Sequence, residues 1–142
     1  MAIKLSFTSD DLGIVSAYSG LVSDDDLMTA CEFRIAHSDK LPSKKYNIAD
    51  FTKADNVNIT SQGVIQNVRK ARSGLIPFLD ELIYIAIVRG EEQYGMMRMW
   101  TTMSDNDRMV SHIVYSYDEA LELIKAHLNE HGIDCQISWP ES

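Results

Sequence analysis

The sequence predicts an α/β fold: a single-layer, mostly parallel five-stranded sheet in the order ββαβαβαβα, flanked by helices. Three observations lead to it. Two apolar runs near the start are separated only by turn residues, which makes an antiparallel hairpin. Beyond them, short apolar runs alternate with helical periodicities, the pattern of parallel crossover units. The segment Leu82-Ile83-Tyr84-Ile85-Ala86-Ile87-Val88 is almost continuously apolar, as suits a central strand buried on both faces.

Each element has its own justification. Ile3, Leu5 and Phe7 alternate with Lys4, Ser6 and Thr8, a period of two that marks a strand with one buried face. Ser9-Asp10-Asp11 is turn chemistry, and residues 12–19 form the second strand, ended by Gly20. Ser23 is placed to cap a helix whose first turn holds Asp24, Asp25 and Asp26, a solvated acidic start that favours the positive helix end. Leu27, Cys31 and Arg34/Ile35 follow at helical spacing to about residue 36, and Pro42 prevents regrowth of the helix in the loop 39–45. Residues 46–51 make the third strand and 52–59 a polar loop. Thr60 or Ser61 caps the second helix, whose apolar stripe is Val64/Ile65, Val68, Ala71/Arg72 and Leu75, with Ser73-Gly74 at its end. Gly90 closes the fourth strand; residues 91–103 form the third helix and 109–115 the fifth strand. Ser116 and Glu119 have the S-x-x-E capping-box spacing ahead of a last helix over 117–130, with Gly132 just past its end. Residues 133–139 read as a loose tail or a short edge strand.

The chain has 142 residues with 13 basic and 21 acidic, a net charge of −8, which suits one domain over 1–142. Apolar residues at 45% and charged residues at 24% are ordinary globular values and argue against global disorder. The acidic balance weighs against nucleic acid, whose phosphates are bound mostly by Lys and Arg, and against an anionic membrane surface. The N-terminus turns polar too soon for a secretory signal, and the longest apolar run falls short of a membrane span, so a cytoplasmic protein with two reduced thiols, Cys31 and Cys135, is expected.

No enzyme signature emerges, and neither a cofactor nor a metal is expected. There is no G-x-S-x-G, P-loop, G-x-G-x-x-G or C-x-x-C. His127 and His131 stand i, i+4 on one helix face, but their place at a helix C-terminus explains them without a metal. Ser104-Asp105-Asn106-Asp107 lacks the glycine and terminal glutamate of a calcium loop. The third helix is unusual for holding Met96, Met97, Met99 and Met103 beside Tyr94 and Trp100, since methionine is flexible and over-used on adaptable binding surfaces. Met96, Met99/Trp100 and Met103 form one stripe, either ordinary core or, with Phe78, the lining of an apolar groove. Met97 lies off it. Gly95 implies close approach to the sheet or to a ligand, and Arg98 could hold an acidic head group or a partner carboxylate.

Four segments in order resemble the SpoIIAA-like (STAS/SEC14-like) family of small α/β proteins. They are Gly20-Leu21-Val22-Ser23-Asp24-Asp25-Asp26-Leu27; Asn47-Ile48-Ala49-Asp50-Phe51; Ile85-Ala86-Ile87-Val88 with Tyr94-Gly95-Met96-Met97-Arg98-Met99; and Val114-Tyr115-Ser116-Tyr117-Asp118-Glu119-Ala120-Leu121. The resemblance implies a non-enzymatic regulatory module that binds a protein partner, in the manner of anti-sigma-factor antagonists, switched by phosphorylation at the start of the helix after the third strand. Here that position falls on Thr60 or Ser61, with Asp50 and Asp55 nearby, although the antagonist pattern D-S-[ST]-G is absent. The alternative implied by the SEC14-like side is a carrier or sensor of a lipid or other nonpolar small molecule. An uncovered sheet edge and a Met/Trp-bearing helix also point to a homodimer.

Overall fold

The computed structural model describes residues 2–139. Its elements follow the expected order: β1 (Ile3–Phe7), β2 (Gly13–Ser23), α1 (Asp24–Ala36), β3 (Tyr46–Asn58), α2 (Ser61–Gly74), β4 (Leu82–Ile87), α3 (Glu91–Ser104), β5 (Met109–Val114) and α4 (Tyr117–Glu130). The strands lie side by side in sequence order; β1 and β2 pair antiparallel and every later pair is parallel. With a sequential order, crossovers of one hand all land on one face of the sheet. α1, α2 and α3 accordingly pack together over one face, and α4 covers β4 and β5 from the other. β4 serves both cores: Leu82, Tyr84 and Ala86 face α1–α3, while Ile83, Ile85 and Ile87 face α4. Among the described residues no helix is long and apolar enough to cross a membrane.

Two boundaries differ from expectation for one reason. Gly20 does not end β2, and residues 52–58 are not a loop: the two strands continue in parallel as a ribbon to Ser23↔Asn58, whereas β4 pairs with β3 only as far as Asp50↔Ile87. Two register shifts, between Ala17 and Ser19 and between Gly20 and Leu21, disrupt the period of two that would have betrayed the extension. Gly20 serves the ribbon by adopting φ +63°, a left-handed conformation that glycine takes without strain. Val22 and Ala54 are fully buried beneath the helices, so the ribbon is held by its inner face.

A buried polar thread ties the three helices on that face. Asn67 of α2, 4% exposed, donates from Nδ2 to the Leu27 carbonyl of α1 at 2.9 Å and accepts from Trp100 Nε1 of α3 at 2.8 Å. The Trp100 ring stacks on Tyr84 of β4, centroids 4.6 Å apart. α3 is rotated from its expected setting: its buried face is Gln93, Met97, Trp100 and Ser104, so Met97 is core, while Met96 and Met99 are half-buried at its flanks. The run of four methionines allows more than one helical stripe, and the partner at position 67 selects the one that brings Trp100 inward. Gly95 is exposed, and a Cβ there would meet open space, so no close approach explains it.

Residues 133–139 form no strand, but the chain folds back over the α4 face. Trp139 is buried against Tyr117, and Ser138 and Asp10 are joined reciprocally: Ser138 N–H donates to Asp10 Oδ2 at 3.0 Å and Asp10 N–H to Ser138 Oγ at 3.1 Å. Asp10 also accepts from the Thr8 hydroxyl, from Leu12 N–H at 2.9 Å and from Tyr46 OH at 2.5 Å. Burial pushes its carboxyl up, but these hydrogen bonds from Thr8, Tyr46, Leu12 and Ser138 outweigh burial and hold it below its ordinary 3.8.

Replacing Asn67 by Ala strands Trp100 Nε1 and removes the side-chain bond to the Leu27 carbonyl, and the loss of unfolding free energy is about 1–3 kcal/mol, read as a lower urea midpoint at unchanged slope. Because the folded Asp10 carboxyl lies below its unfolded value, its contribution is complete above about pH 4 and disappears as pH falls through the folded value. Asp10→Asn therefore frees Trp139 at neutral pH, with a red-shifted tryptophan emission that the wild type shows only in acid.

Candidate functional site

The site singled out in the sequence lies where the β2–β3 ribbon ends and two helices begin. Ser23 and Asn58 are register partners in adjacent parallel strands, so α1 and the chain leading to α2 emerge side by side. Thr60 is the cap of α2: its hydroxyl accepts from Gly63 N–H at 3.0 Å. The same hydroxyl donates to Asp24 Oδ2 at 2.7 Å, and Thr60 N–H donates to Asp24 Oδ1 at 2.8 Å. The first residue of α1 thus places its carboxylate on the first turn of α2, where the helix dipole favours a negative charge. Residue 63 is glycine for this reason, since a Cβ there would fall on the Asp24 carboxylate.

The acidic start of α1 is therefore not merely solvated. Asp26 accepts from Ser23 N–H at 2.8 Å and from its hydroxyl at 3.3 Å, closing the cap of α1, while Asp24 reaches across to α2. Of the three, Asp25 is exposed and the other two are half-buried. Ser61, the first residue of α2, has an exposed side chain, and Asp55 is exposed on the ribbon.

Asp50 is not part of this group. It is 9% exposed, with Oδ1 accepting from Thr52 N–H at 2.9 Å and Thr52 Oγ1 at 2.7 Å, and Oδ2 accepting from Tyr117 OH at 2.7 Å. It follows Ile48 in the alternation of β3 and so turns to the α4 face, into a cleft lined by Lys4, Lys53, Tyr117 and Trp139. Burial raises the Tyr117 phenol above its ordinary value, the Thr52 bond opposes the rise, and the Asp50 bond and charge add to it.

The residues of the expected apolar groove are also divided. Met97 and Trp100 are packed into the helical core; Met96 and Met99 lie half-buried against it; Phe78 and Arg98 are exposed. Four clefts on the described surface are lined by other side chains. His127 and His131 converge on Glu81 instead of on an open site: His127 Nε2 lies 2.7 Å from its carbonyl and His131 Nε2 lies 2.7 Å from its carboxylate.

No family model matches the chain, and no curated protein matches it. Solved structures do. An uncharacterised protein of the DUF3478 family with a SpoIIAA-like fold, from Shewanella loihica PV-4, matches over 87% of this chain and 92% of its own, with 15% identity and a TM-score of 0.55. The chain has a SpoIIAA-like fold. The anti-sigma factor antagonist SpoIIAA in its unphosphorylated form matches 87% of this chain and 98% of its own at 10% identity, with a TM-score of 0.53. The phosphorylated Bacillus cell fate determinant SpoIIAA gives 14% identity and a TM-score of 0.44 over 87% of this chain and 99% of its own. In this chain α1 and α2 start side by side at the end of the sheet where the β2–β3 ribbon finishes.

Sequence reasoning named Thr60 and Ser61 but missed Asp24, Gly63 and Tyr117. A glycine at the third position of a helix, in place of a good helix former, is the one signal that could have disclosed the close approach of another chain segment. The two hydroxyls at the start of α2 are separable by stability. Thr60→Val removes the cap and the hydroxyl's bond to Asp24, leaving the backbone one, and lowers unfolding free energy by about 1–2 kcal/mol, whereas Ser61→Ala changes it by less than about 0.5 kcal/mol, both read from urea unfolding.

Proposed function

We propose that this chain is a non-enzymatic regulatory module that binds a protein partner through the outer face of the β2–β3 ribbon and the adjoining start of α2. The observation that carries the reading is Leu21, 60% exposed on a ribbon that projects beyond β4, register-paired with Asn56 and two residues from Ser23 at the foot of the Asp24–Thr60 junction. An exposed leucine on a ribbon whose other exposed residues include the polar Asp55, Asn56 and Asn58 is an apolar anchor with a polar rim, the anatomy of a partner-binding patch. The likeness in fold to an anti-sigma factor antagonist studied in its unphosphorylated form supports the same reading.

Within this patch Ser61 is the residue suited to modification. The Thr60 hydroxyl is held on both sides, and a phosphate there would face the Asp24 carboxylate. A phosphate on Ser61 would add nearly two negative charges at the first turn of α2, where backbone N–H groups point outward. Asp50 takes no part in this surface, because its carboxylate is already held by Thr52 and Tyr117.

The test is photo-crosslinking from position 58 in cells that make the protein. The expected result is a discrete crosslinked partner whose yield falls at least about tenfold with Leu21→Asp and with Ser61→Glu, both of which leave the unfolding midpoint within the range of surface substitutions. A crosslink unaffected by either substitution contradicts the proposed surface.

A further inference from the structure

The cleft on the α4 face has a chemistry of its own. Its floor is Val15 and Ala17 of β2, one wall is Tyr117 with Trp139, and Lys4 and Lys53 flank its mouth. The space is ≈ 250 Å³, room for about eight waters at ~30 Å³ each, or for one single-ring organic molecule. Among the described residues no helix covers this part of the sheet; α4 lies over β4 and β5, and the returning tail borders the cleft.

Two features indicate what would fill it. Neither Lys4 nor Lys53 makes an ion pair among the described residues, so in a chain of net charge −8 the mouth is a local cationic spot. At the inner end, Asp50, Thr52 and Tyr117 make three oxygen–oxygen contacts, of 2.7, 2.7 and 3.1 Å. The two hydroxyls bring only two protons. With both given to the Asp50 carboxylate, the Thr52–Tyr117 contact has none, and the phenolic oxygen is left with acceptor capacity facing the cleft. The site thus presents positive charge at its mouth, an aromatic and aliphatic middle, and a surplus acceptor at its base.

We propose that this cleft binds a small aromatic carboxylate bearing a hydroxyl or amino group at its far end: the carboxylate between Lys4 and Lys53, the ring along Trp139, and the donor on Tyr117 and Asp50. The proposal does not rest on the partner-binding patch, although Lys53 belongs to the same ribbon, register-paired with Ser19.

The probes are 4-hydroxybenzoate, benzoate and 4-hydroxybenzyl alcohol, each titrated into the isotope-labelled protein while the indole N–H resonance of Trp139, assigned with Trp139→Phe, is followed. 4-Hydroxybenzoate is expected to shift that resonance saturably. Lys4→Gln with Lys53→Gln should weaken it by about tenfold or more, as loss of charge-assisted bonds implies. Tyr117→Phe should reduce its affinity to that of benzoate and leave benzoate unchanged. The proposal is overturned if 4-hydroxybenzyl alcohol binds as well as the acid, if the double lysine variant binds equally, or if no probe saturates by about 10 mM, weaker than any millimolar site.

Discussion

One carboxylate holds the working end of the molecule in place. Asp24 begins α1 and bonds both the backbone and the hydroxyl of the residue that caps α2. Two parallel strands deliver their helices to the same place only if they end in register, and the Ser23↔Asn58 pairing at the tip of the ribbon provides this. An anion at the positive end of a helix gains from the dipole and satisfies N–H groups that the helix itself cannot. The contact needs an absent side chain at position 63, so glycine is kept where alanine would make the better helix. The cap of α2 and the glycine at position 63 thereby depend on a single group, which strand register delivers.

The rest of the fold follows from the same end of the sheet. Sequential strand order puts α1, α2 and α3 in a row on one face, and a row of helices needs a fixed rotation for each. Asn67 sets it in the middle, with one bond to α1 and one to α3. Its choice of Trp100 decides which methionines are core. On the opposite face the single helix α4 leaves β1 and β2 uncovered, and the tail, fastened by Asp10, makes a polar cleft of what would otherwise be bare sheet. The fold thus leaves exposed both Leu21 on the ribbon and a cleft bordered by Lys4 and Lys53.

The order of elements was legible because each carried its own local signal: alternation in β1, the apolar run of β4, and the Ser116 cap of α4, whose hydroxyl accepts from Glu119 N–H at 3.2 Å as its spacing implies. The ribbon was not legible, because bulges erase alternation and its outer face, Leu21 apart, is polar. The setting of α3 was not legible either, since Met96, Met97 and Met99 are equally apolar and only a long-range bond to Asn67 distinguishes them. Thr60 and Ser61 could be found because caps are local. Asp24 was hidden because its partner is 36 residues away, and three aspartates in a first turn look alike until one of them reaches another helix. The grouping of Asp50 with Thr60 failed on strand parity, which a sequence reports only when the register is known.

The most direct test of the Asp24 clamp is the effect of Gly63→Ala on stability measured in two backgrounds, wild type and Asp24→Ala. If Asp24 is the reason for the glycine, the substitution destabilises the wild type, because the new methyl displaces the carboxylate from Thr60. In the Asp24→Ala background it becomes neutral or stabilises by up to about 1 kcal/mol, the helix preference of alanine over glycine. The same stabilisation in both backgrounds would mean that the carboxylate moves aside freely, and would contradict the account.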